Sequence, residues 1–318
     1  MEMDSKIDNQ IPCIDFTKDP KNLEEDSDGW KELCNQVREA CELYGSFQVI
    51  YNKIPSSLCQ NLFNECKGLF YLPDETKQKN LNPKPYFGYL GKSDILPFYE
   101  GFGVEDAPIR DAVQSFTEKM WPEGNPNFCE TLHSVSTKLH DLELIVLKML
   151  CDIYGVEKHH KTLAESFEYL FRVMKYKLPP QSDEAVVLGT HTDKGSLTIL
   201  CQDVVQGLEV LSKDCKWLKA TPLKGAFIVF IGESLKAWSN GRLYAAKHRV
   251  ILSGDKERYS YALFASPKEG EVVEVPKELV DKEHPLLYKP FNFMDFLYEF
   301  VNTDLRSNQS PLEAYAGV

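Results

Sequence analysis

The second half of the chain carries a series of short strand-forming segments, and this pattern constrains the fold more than any other feature. Eight such segments follow one another after about residue 168: YLFRVMKY, AVVLGTH, SLTILCQ, GLEVL, KWLKA, GAFIVFIG, HRVIL and YSYALFA. Turn-forming stretches such as PPQSDE, DKG and SGDKE separate them. Short strands at even spacing, without interleaved helices, predict an antiparallel sandwich or barrel and argue against a Rossmann-type sheet.

The remainder of the chain has a mainly helical pattern. Apolar residues recur at helical spacing in four stretches, which predict helices over 30–44 with Gly45 as a stop, from Ser56 as N-cap to Pro73, over about 128–154, and over roughly 291–302 at the end of the chain. The stretch 81–108 is rich in Gly, Pro and aromatic residues, and a loop of this length is often functional. We therefore expect a helical region over 1–165 that packs on a catalytic core over 166–318.

Charge and cysteine content narrow the classes of function. The formal net charge of −12 argues against a nucleic-acid partner, because phosphate binding needs a basic surface. No apolar run approaches the roughly 20 residues of a membrane helix, and the acidic start MEMDSKIDNQ is not expected to be a signal peptide. Nine cysteines without a Cys-x-x-Cys motif are typical of buried thiols in a reduced, cytoplasmic protein.

The segment GTHTDKGSLTIL holds the candidate metal ligands. His191 and Asp193 are two residues apart at the end of a predicted strand, so both side chains are expected on one face. With seven His and 48 acidic residues in 318, about one His-x-acid is expected by chance, so the spacing alone is uninformative. His248 opens the strand HRVIL and is the natural third ligand. Two His and one carboxylate form a facial triad that leaves iron with open positions.

A second pair of polar residues follows ten positions after His248. Arg258 and Ser260 are again two apart on a predicted strand. An Arg near a turn is ordinarily exposed, but an Arg that points into a barrel needs a carboxylate partner. A dicarboxylate ligand meets this need, because one end can chelate the metal while the other pairs with the Arg258 fork.

These motifs together resemble the plant 2-oxoglutarate- and Fe(II)-dependent dioxygenases. The resemblance rests on GTHTDKGSLTIL, HRV and RYSYALF, and extends through IPCIDF, YGSFQV and LKATPLKGAFIVFIGESLKAWSNGRLYAAKHRV over almost the whole chain. The segments MKYKLPP, LVDKEHPLLYKPF and PLEAYAGV are similar to the AOP-like branch of specialised metabolism. The resemblance implies an α+β fold with a distorted double-stranded β-helix, or jelly-roll, core, a helical N-terminal region and flanking helices.

The resemblance also implies roles for individual residues. His191, Asp193 and His248 would bind iron, and Arg258 and Ser260 would bind the distal carboxylate of 2-oxoglutarate. Tyr176 matches a family Tyr that contacts the same cosubstrate, although the wider family has Asn-Tyr-Tyr-Pro where this chain has Met-Lys-Tyr-Lys. The segment IGESL at 231–235 replaces a commoner Gly-Asp pattern, and we expect it to lie away from the ligands.

The implied reaction uses O2 and 2-oxoglutarate to oxidise a small molecule, with release of succinate and CO2 and with ascorbate as a supporting reductant. Hydroxylation is the default outcome; desaturation, ring closure and O-demethylation are alternatives. We expect a monomer and a fairly apolar plant metabolite such as a steroid, alkaloid, phenolic or terpenoid. The substrate-facing candidates are Tyr86, Phe87, Phe98, Tyr99 and Phe264.

Two rival functions stay open at this stage. An iron oxidase of the same fold could work without 2-oxoglutarate and keep Arg258 for another carboxylate. A binding protein on a jelly-roll scaffold could have lost catalysis, although loss usually shows as a substituted ligand and all three positions carry suitable side chains. A hydrolytic zinc site could use the same three ligands, but it leaves Arg258 without a role.

Overall fold

Two facing β-sheets form the centre of the molecule in the computed structural model, which describes residues 9–93, 96–180, 182–303, 305 and 310–318. The strands are β1 (Cys13–Asp15), β2 (Ser46–Ile50), β3 (Tyr99–Glu105), β4 (Phe167–Tyr176), β5 (Glu184–His191), β6 (Leu197–Gln202), β7 (Leu208–Leu211), β8 (Trp217–Lys219), β9 (Ala226–Ile231), β10 (His248–Ser253), β11 (Arg258–Pro267), β12 (Val272–Val273) and β13 (Phe291–Asn292). The eight strand-forming segments are all present as β4 to β11.

Helices surround the sheets. They are α1 (Asp28–Leu43), α2 (Ser56–Phe70), α3 (Asp74–Lys77), α4 (Arg110–Met120), α5 (Pro126–Ile153), α6 (His160–Glu165), α7 (Glu233–Trp238), α8 (Phe293–Asn302) and α9 (Pro311–Ala316). Of these, α1, α2 and α5 pack on the outer face of the large sheet. Short 3-10 turns occur at Pro20–Leu23, Gln78–Asn80, Glu157–His159 and Lys277–Leu279. No helix in the described part of the chain is both long and apolar enough to cross a bilayer.

The sheet topology is that of a jelly roll, so the predicted fold class is confirmed. The large sheet has the strand order β1-β2-β9-β6-β11-β4-β3, and the smaller one has the order β5-β10-β7-β8. Apart from the parallel pair of β1 with β2, the neighbouring strands of both sheets are antiparallel. Strands β12 and β13 form a separate ribbon.

Alternation along each strand divides the core into two layers. On β11, Tyr259, Tyr261 and Leu263 pack into the cluster formed with the helices. Ala262 belongs to the other cluster, which fills the space between the two sheets. Because side chains alternate across a strand, the neighbours of Ala262 two residues away on either side, Ser260 and Phe264, also face the smaller sheet. The polar site residues therefore lie inside the sandwich.

The helical predictions hold with small corrections at the ends. Gly45 follows α1 with φ of 62°, and a Cβ there would lie 2.1 Å from the Tyr244 carbonyl oxygen, so the position requires glycine. Ser56 is the first residue of α2 rather than its N-cap, which is Pro55. Helix α8 begins at Phe293 because the Asn292 side chain caps it, and α9 follows it, so α8 does not close the chain.

The stretch 81–108 is not only a loop, because it contains β3. Strands β1 and β2 also come from the first 165 residues, and all three join the large sheet. The division of the chain at residue 165 stays a prediction. Seven of the nine cysteines are buried, whereas Cys13 and Cys215 are exposed, and all nine are free thiols.

Candidate active site

Two histidines face each other at one end of the smaller sheet, on its neighbouring strands β5 and β10. His191 is the last residue of β5 and His248 is the first residue of β10, and the antiparallel register places them opposite each other. Their ring centres are 4.2 Å apart. Phe230 of β9 packs on the other side of the His248 ring at 4.4 Å, which fixes its plane from the large sheet.

Asp193 completes the cluster from a turn and not from the strand. Strand β5 ends at His191, so the expectation that both side chains leave one face of a strand is wrong for Asp193. The turn nevertheless places its Oδ1 3.7 Å from His248 Nε2. Thr198 of β6 donates a hydrogen bond of 2.6 Å to the other carboxylate oxygen. One ligand atom from each of the three residues lies within 4.8 Å of the other two.

Backbone carbonyls set the tautomers of both histidines. Nδ1 of His191 lies 2.9 Å from the Gly189 oxygen, and Nδ1 of His248 lies 3.2 Å from the Ala246 oxygen. Because a carbonyl only accepts, each Nδ1 carries the proton and each Nε2 keeps its lone pair. Burial, followed by the neighbouring His248, lowers the pKa of His191 to about 4. The His191 imidazole is therefore neutral near pH 7, as a metal ligand must be.

Arg258 lies across the same cavity and is 1% exposed. It donates to Ser260 Oγ at 3.3 Å and to Gln202 Oε1 at 3.0 Å, and its Nε has no partner. Its guanidinium carbon lies 5.1 Å from the centre of the Tyr176 ring. Burial lowers the pKa of Arg258, but an Arg side chain keeps its charge in proteins. No ion pair links a carboxylate of the described residues to this guanidinium, although the charge of Asp203 is near enough to raise the pKa of Arg258 against the effect of burial.

Gln202 and Thr198 are site residues that the sequence analysis missed. Gln202 donates from Nε2 to the Ala220 carbonyl at 2.6 Å, which turns Oε1 towards Arg258. Both residues lie on β6, which pairs with β11 so that Gln202 is opposite Ser260. The signal for Thr198 was its place in the motif segment, two residues before Leu200 and on the same inner face of β6.

The two polar ends border one cavity of about 50 Å³ between the sheets. The triad and Arg258 line it together with Tyr176, Phe264 and apolar residues of both sheets. One end of the cavity carries the three candidate metal ligands, and the other carries a guanidinium without a direct ion-pair partner. With apolar walls between them, these two ends fit a ligand that has two acidic groups. A larger cavity of about 390 Å³ lies elsewhere, beside α6 and residues 271–278, and contains none of the triad.

Tyr176 is buried beside Arg258, to which it is paired across β4 and β11. Its hydroxyl donates to the Met174 sulfur at 3.4 Å, which is a weak acceptor. Burial raises the pKa of Tyr176 to about 12, so the hydroxyl keeps its proton and can donate to a ligand.

The five substrate-facing candidates are separated by the fold. Phe264 lines the cavity, and Tyr99 packs edge-on against Tyr176 with ring centres 5.4 Å apart. Phe98 is partly buried against the same inter-sheet cluster. Phe87 lies in another cluster, with Leu170 and the buried face of α8. Tyr86, at φ of 69°, packs against that cluster, and Phe264 also packs against it, so Phe264 connects this cluster with the cavity.

The expectation that IGESL lies away from the ligands is wrong. The Glu233 backbone N–H donates to the Asp193 carbonyl at 2.8 Å. Its side chain accepts hydrogen bonds from Thr192 and from Lys194, the two residues that flank Asp193. The start of α7 is therefore in direct contact with the turn that presents the carboxylate.

Comparison with known proteins shows which family the chain is similar to. The family descriptions "2OG-Fe(II) oxygenase superfamily" and "non-haem dioxygenase in morphine synthesis N-terminal" match residues 167–267 and 11–124. The chain is 42% identical over 313 residues to the probable 2-oxoglutarate-dependent dioxygenase AOP1.2 of Arabidopsis thaliana, with 96% of each chain covered. The predicted resemblance to the AOP-like branch is thus confirmed.

Solved structures agree on the fold. A rice dioxygenase for auxin oxidation is 30% identical, with a TM-score of 0.82 over 96% of this chain and 100% of that one. JOX2 in complex with 2OG, Fe and JA is 26% identical, with a TM-score of 0.80 over 96% of this chain and 89% of that one.

Proposed function

The chain belongs to the 2OG-Fe(II) oxygenase superfamily, and we propose that within it His191, Asp193 and His248 hold the iron while Arg258 and Ser260 hold 2-oxoglutarate. The protein is a 2-oxoglutarate-dependent dioxygenase, with Fe(II) and 2-oxoglutarate as its cofactor and cosubstrate. One observation carries the residue assignment: the buried Arg258 guanidinium, which has no direct ion-pair partner among the described residues, faces the His–Asp–His cluster across a single cavity.

The three metal-binding side chains offer the right atoms. Both histidines present an unprotonated Nε2, because each Nδ1 donates to a carbonyl. Thr198 holds one oxygen of Asp193, which leaves Oδ1 on the His248 side for the metal. Two His and one carboxylate suit Fe(II) and leave positions for other ligands. When bound, Fe(II) and 2-oxoglutarate supply the oxidation of an unactivated C–H bond by O2, with succinate and CO2 as products.

The other end of the cavity is built for a carboxylate. Arg258 offers its fork and its unpartnered Nε, and Ser260 can rotate its hydroxyl to donate to the same ligand. Gln202 holds the guanidinium in place through Oε1 without neutralising it. Tyr176 covers the guanidinium face and can exchange its weak bond to Met174 for one to the cosubstrate. This arrangement would orient 2-oxoglutarate with its oxo-acid end at the triad.

The cavity walls support a small, fairly apolar substrate. Leu200, Phe264 and Leu188 contribute to the lining and would exclude water from the reacting atoms. The rice relative acts in auxin oxidation, which is consistent with a modest-sized plant metabolite and with hydroxylation as the outcome. We place the substrate on the Phe264 side of the cavity.

The proposal also covers the setting in which the enzyme works. We infer a cytoplasmic monomer that binds no nucleic acid and is assisted by ascorbate. The net charge of −12 and the nine free cysteines, seven of them buried, support this inference.

The decisive experiment is a metabolite screen with purified protein, Fe(II), ascorbate and 2-oxoglutarate, with succinate and product mass as readouts. A substrate should raise succinate formation and gain one oxygen atom or lose two hydrogens. Turnover that persists without 2-oxoglutarate would support the oxidase rival. Ligand binding without succinate under any condition would support the non-catalytic rival.

A further inference from the structure

The turn that presents Asp193 is held by the segment just before and at the start of α7. Glu233 N donates to the Asp193 carbonyl at 2.8 Å, and Ser234 N donates to the Gly195 carbonyl at 3.0 Å. The Ser234 hydroxyl donates to the Lys194 carbonyl at 2.8 Å. A Cβ at Gly232 would lie 2.1 Å from the Gly195 oxygen, so the two backbones are in close contact. The backbone at Gly232 and the start of α7 therefore holds this turn in place.

A buried ion pair reinforces this contact. The Lys194 ammonium lies 3.0 Å from Glu233 Oε1, and the two side chains are only 10% and 5% exposed. The same ammonium donates to the Thr192 hydroxyl at 2.9 Å and to the Thr192 carbonyl at 3.0 Å. The Thr192 hydroxyl in turn donates to Glu233 Oε1. These contacts fix both residues that flank Asp193.

We propose that Lys194 and Glu233 are positioning residues, which fix the turn at 192–196 so that the Asp193 carboxylate is held at metal-binding distance from the two histidines. The proposal rests on the assignment of the triad as the iron site. Partners behind metal ligands orient those ligands, and their loss typically lowers metal affinity or activity about 10- to 100-fold. Here the orientation acts through the backbone, since neither side chain contacts the Asp193 carboxylate.

Phe300 links this pair to helix α8. The Lys194 ammonium lies 4.4 Å from the centre of the Phe300 ring on α8. A cation over an aromatic face is stabilised, and the ring also shields the pair from water. Shielding strengthens an ion pair because the local dielectric falls. Loss of the ring should therefore weaken the positioning effect without removing either charge.

The test measures metal affinity of the purified protein with Co(II) as the probe, independently of turnover. Glu233→Gln and Lys194→Met each remove one charge with little change in shape. Each should weaken Co(II) binding about 10-fold and lower the melting temperature, because one buried charge is left without its partner. Phe300→Ala should give a smaller loss of affinity in the same direction.

The double variant Lys194→Met/Glu233→Gln separates positioning from simple stabilisation. Removal of both charges restores much of the melting temperature, since no unpaired charge is left buried. Metal affinity should stay about 10-fold low, because the turn is no longer held. If affinity recovers together with stability, the pair is only structural and the proposal is overturned.

The chain offers a control for metal affinity in a second buried pair, Lys77 and Glu100. Their charged atoms are 2.7 Å apart and their side chains are 9% and 8% exposed, but they lie on the opposite face of the large sheet from the triad. Glu100 also faces Lys175 at 3.5 Å, so this control is compared in Co(II) affinity and not in melting temperature. Lys77→Met/Glu100→Gln should leave Co(II) affinity unchanged. Equal losses of affinity in both pairs would contradict the proposal. Tight binding by wild type but also by His191→Ala would instead show that the triad assignment itself is at fault.

Discussion

Replacement of Arg258 by Met should separate the roles of the two ends of the cavity. The guanidinium is 1% exposed and its hydrogen-bond partners are neutral, namely Ser260 Oγ at 3.3 Å and Gln202 Oε1 at 3.0 Å, while Asp203 acts on it only from a longer distance. A ligand carboxylate at about 4 Å would gain roughly 4 kcal/mol at an effective dielectric of 20. Truncation of one partner of a buried charge pair costs about 2–5 kcal/mol. We take about 3 kcal/mol, which corresponds to a roughly 100-fold weaker affinity for 2-oxoglutarate.

The affinity can be read from thermal shifts without oxygen or substrate. At a hundredfold excess over Kd, a ligand stabilises the fold by about 2.7 kcal/mol, which raises the melting temperature of a protein of this size by roughly 5 °C. Wild type should show this shift with 2-oxoglutarate. Arg258→Met should show a shift below about 1 °C at the same concentration, since that concentration only equals its weakened Kd. Its ligand-free melting temperature should be equal or higher, because a buried charge without a direct ion-pair partner has been removed.

Two further variants sharpen this prediction. Arg258→Lys keeps the charge but loses the two-pronged fork, so its affinity should fall between those of wild type and Arg258→Met. Arg249 is a suitable control, because it already pairs with Glu209 at 2.9 Å and stacks on Trp217. Arg249→Met should bind 2-oxoglutarate as wild type does. If Arg258→Met binds within about threefold of wild type, the cosubstrate does not use this guanidinium.

Three other changes have expected outcomes. Gln202→Glu places a carboxylate at the guanidinium, so it should raise the KM for 2-oxoglutarate at least tenfold; an unchanged KM would show that Arg258 does not need a free fork. Burial raises the pKa of Glu143 to about 8, so the fold favours the protonated carboxyl. The contribution of this group to stability is full below about pH 4.5 and is lost as the pH rises through 8. Unfolding free energy should therefore fall by up to ~1.4 kcal/mol per pH unit across this window in wild type, and Glu143→Gln should flatten that slope in denaturant titrations. Phe264→Ala should change substrate preference with 2-oxoglutarate affinity retained, whereas Phe87→Ala should mainly destabilise the fold by about 3–5 kcal/mol; equal effects on preference would place Phe87 at the substrate.

The strands of the catalytic core were predictable because alternation and turns are local signals. Strand β3 was not, because its sequence YEGFGVE has the glycines of a loop. Gly103 is needed there for a different reason, since a Cβ would lie 2.0 Å from the Phe87 carbonyl oxygen. The strand is glycine-rich because a neighbouring segment crosses it closely, and only the tertiary structure reveals that contact.

A site residue could be predicted from the sequence only where its type and position had no ordinary structural explanation. His248 stands at the first position of its strand and Arg258 lies on a strand, both as expected. The position of Asp193 in a turn could not be derived from an i, i+2 spacing, which is equally compatible with a strand. Gln202 and Glu233 depend on strand register and on the docking of α7, and these are set by packing across long sequence separations.

Succinate formation by single-ligand variants tests the triad assignment most directly. Purified wild type, supplied with Fe(II), O2 and 2-oxoglutarate, should form succinate, even if slowly without the natural substrate. His191→Ala, Asp193→Ala and His248→Ala should each remain folded by circular dichroism and form none above background. Succinate formation at the wild-type rate by any one of the three folded variants would show that its residue does not hold the metal.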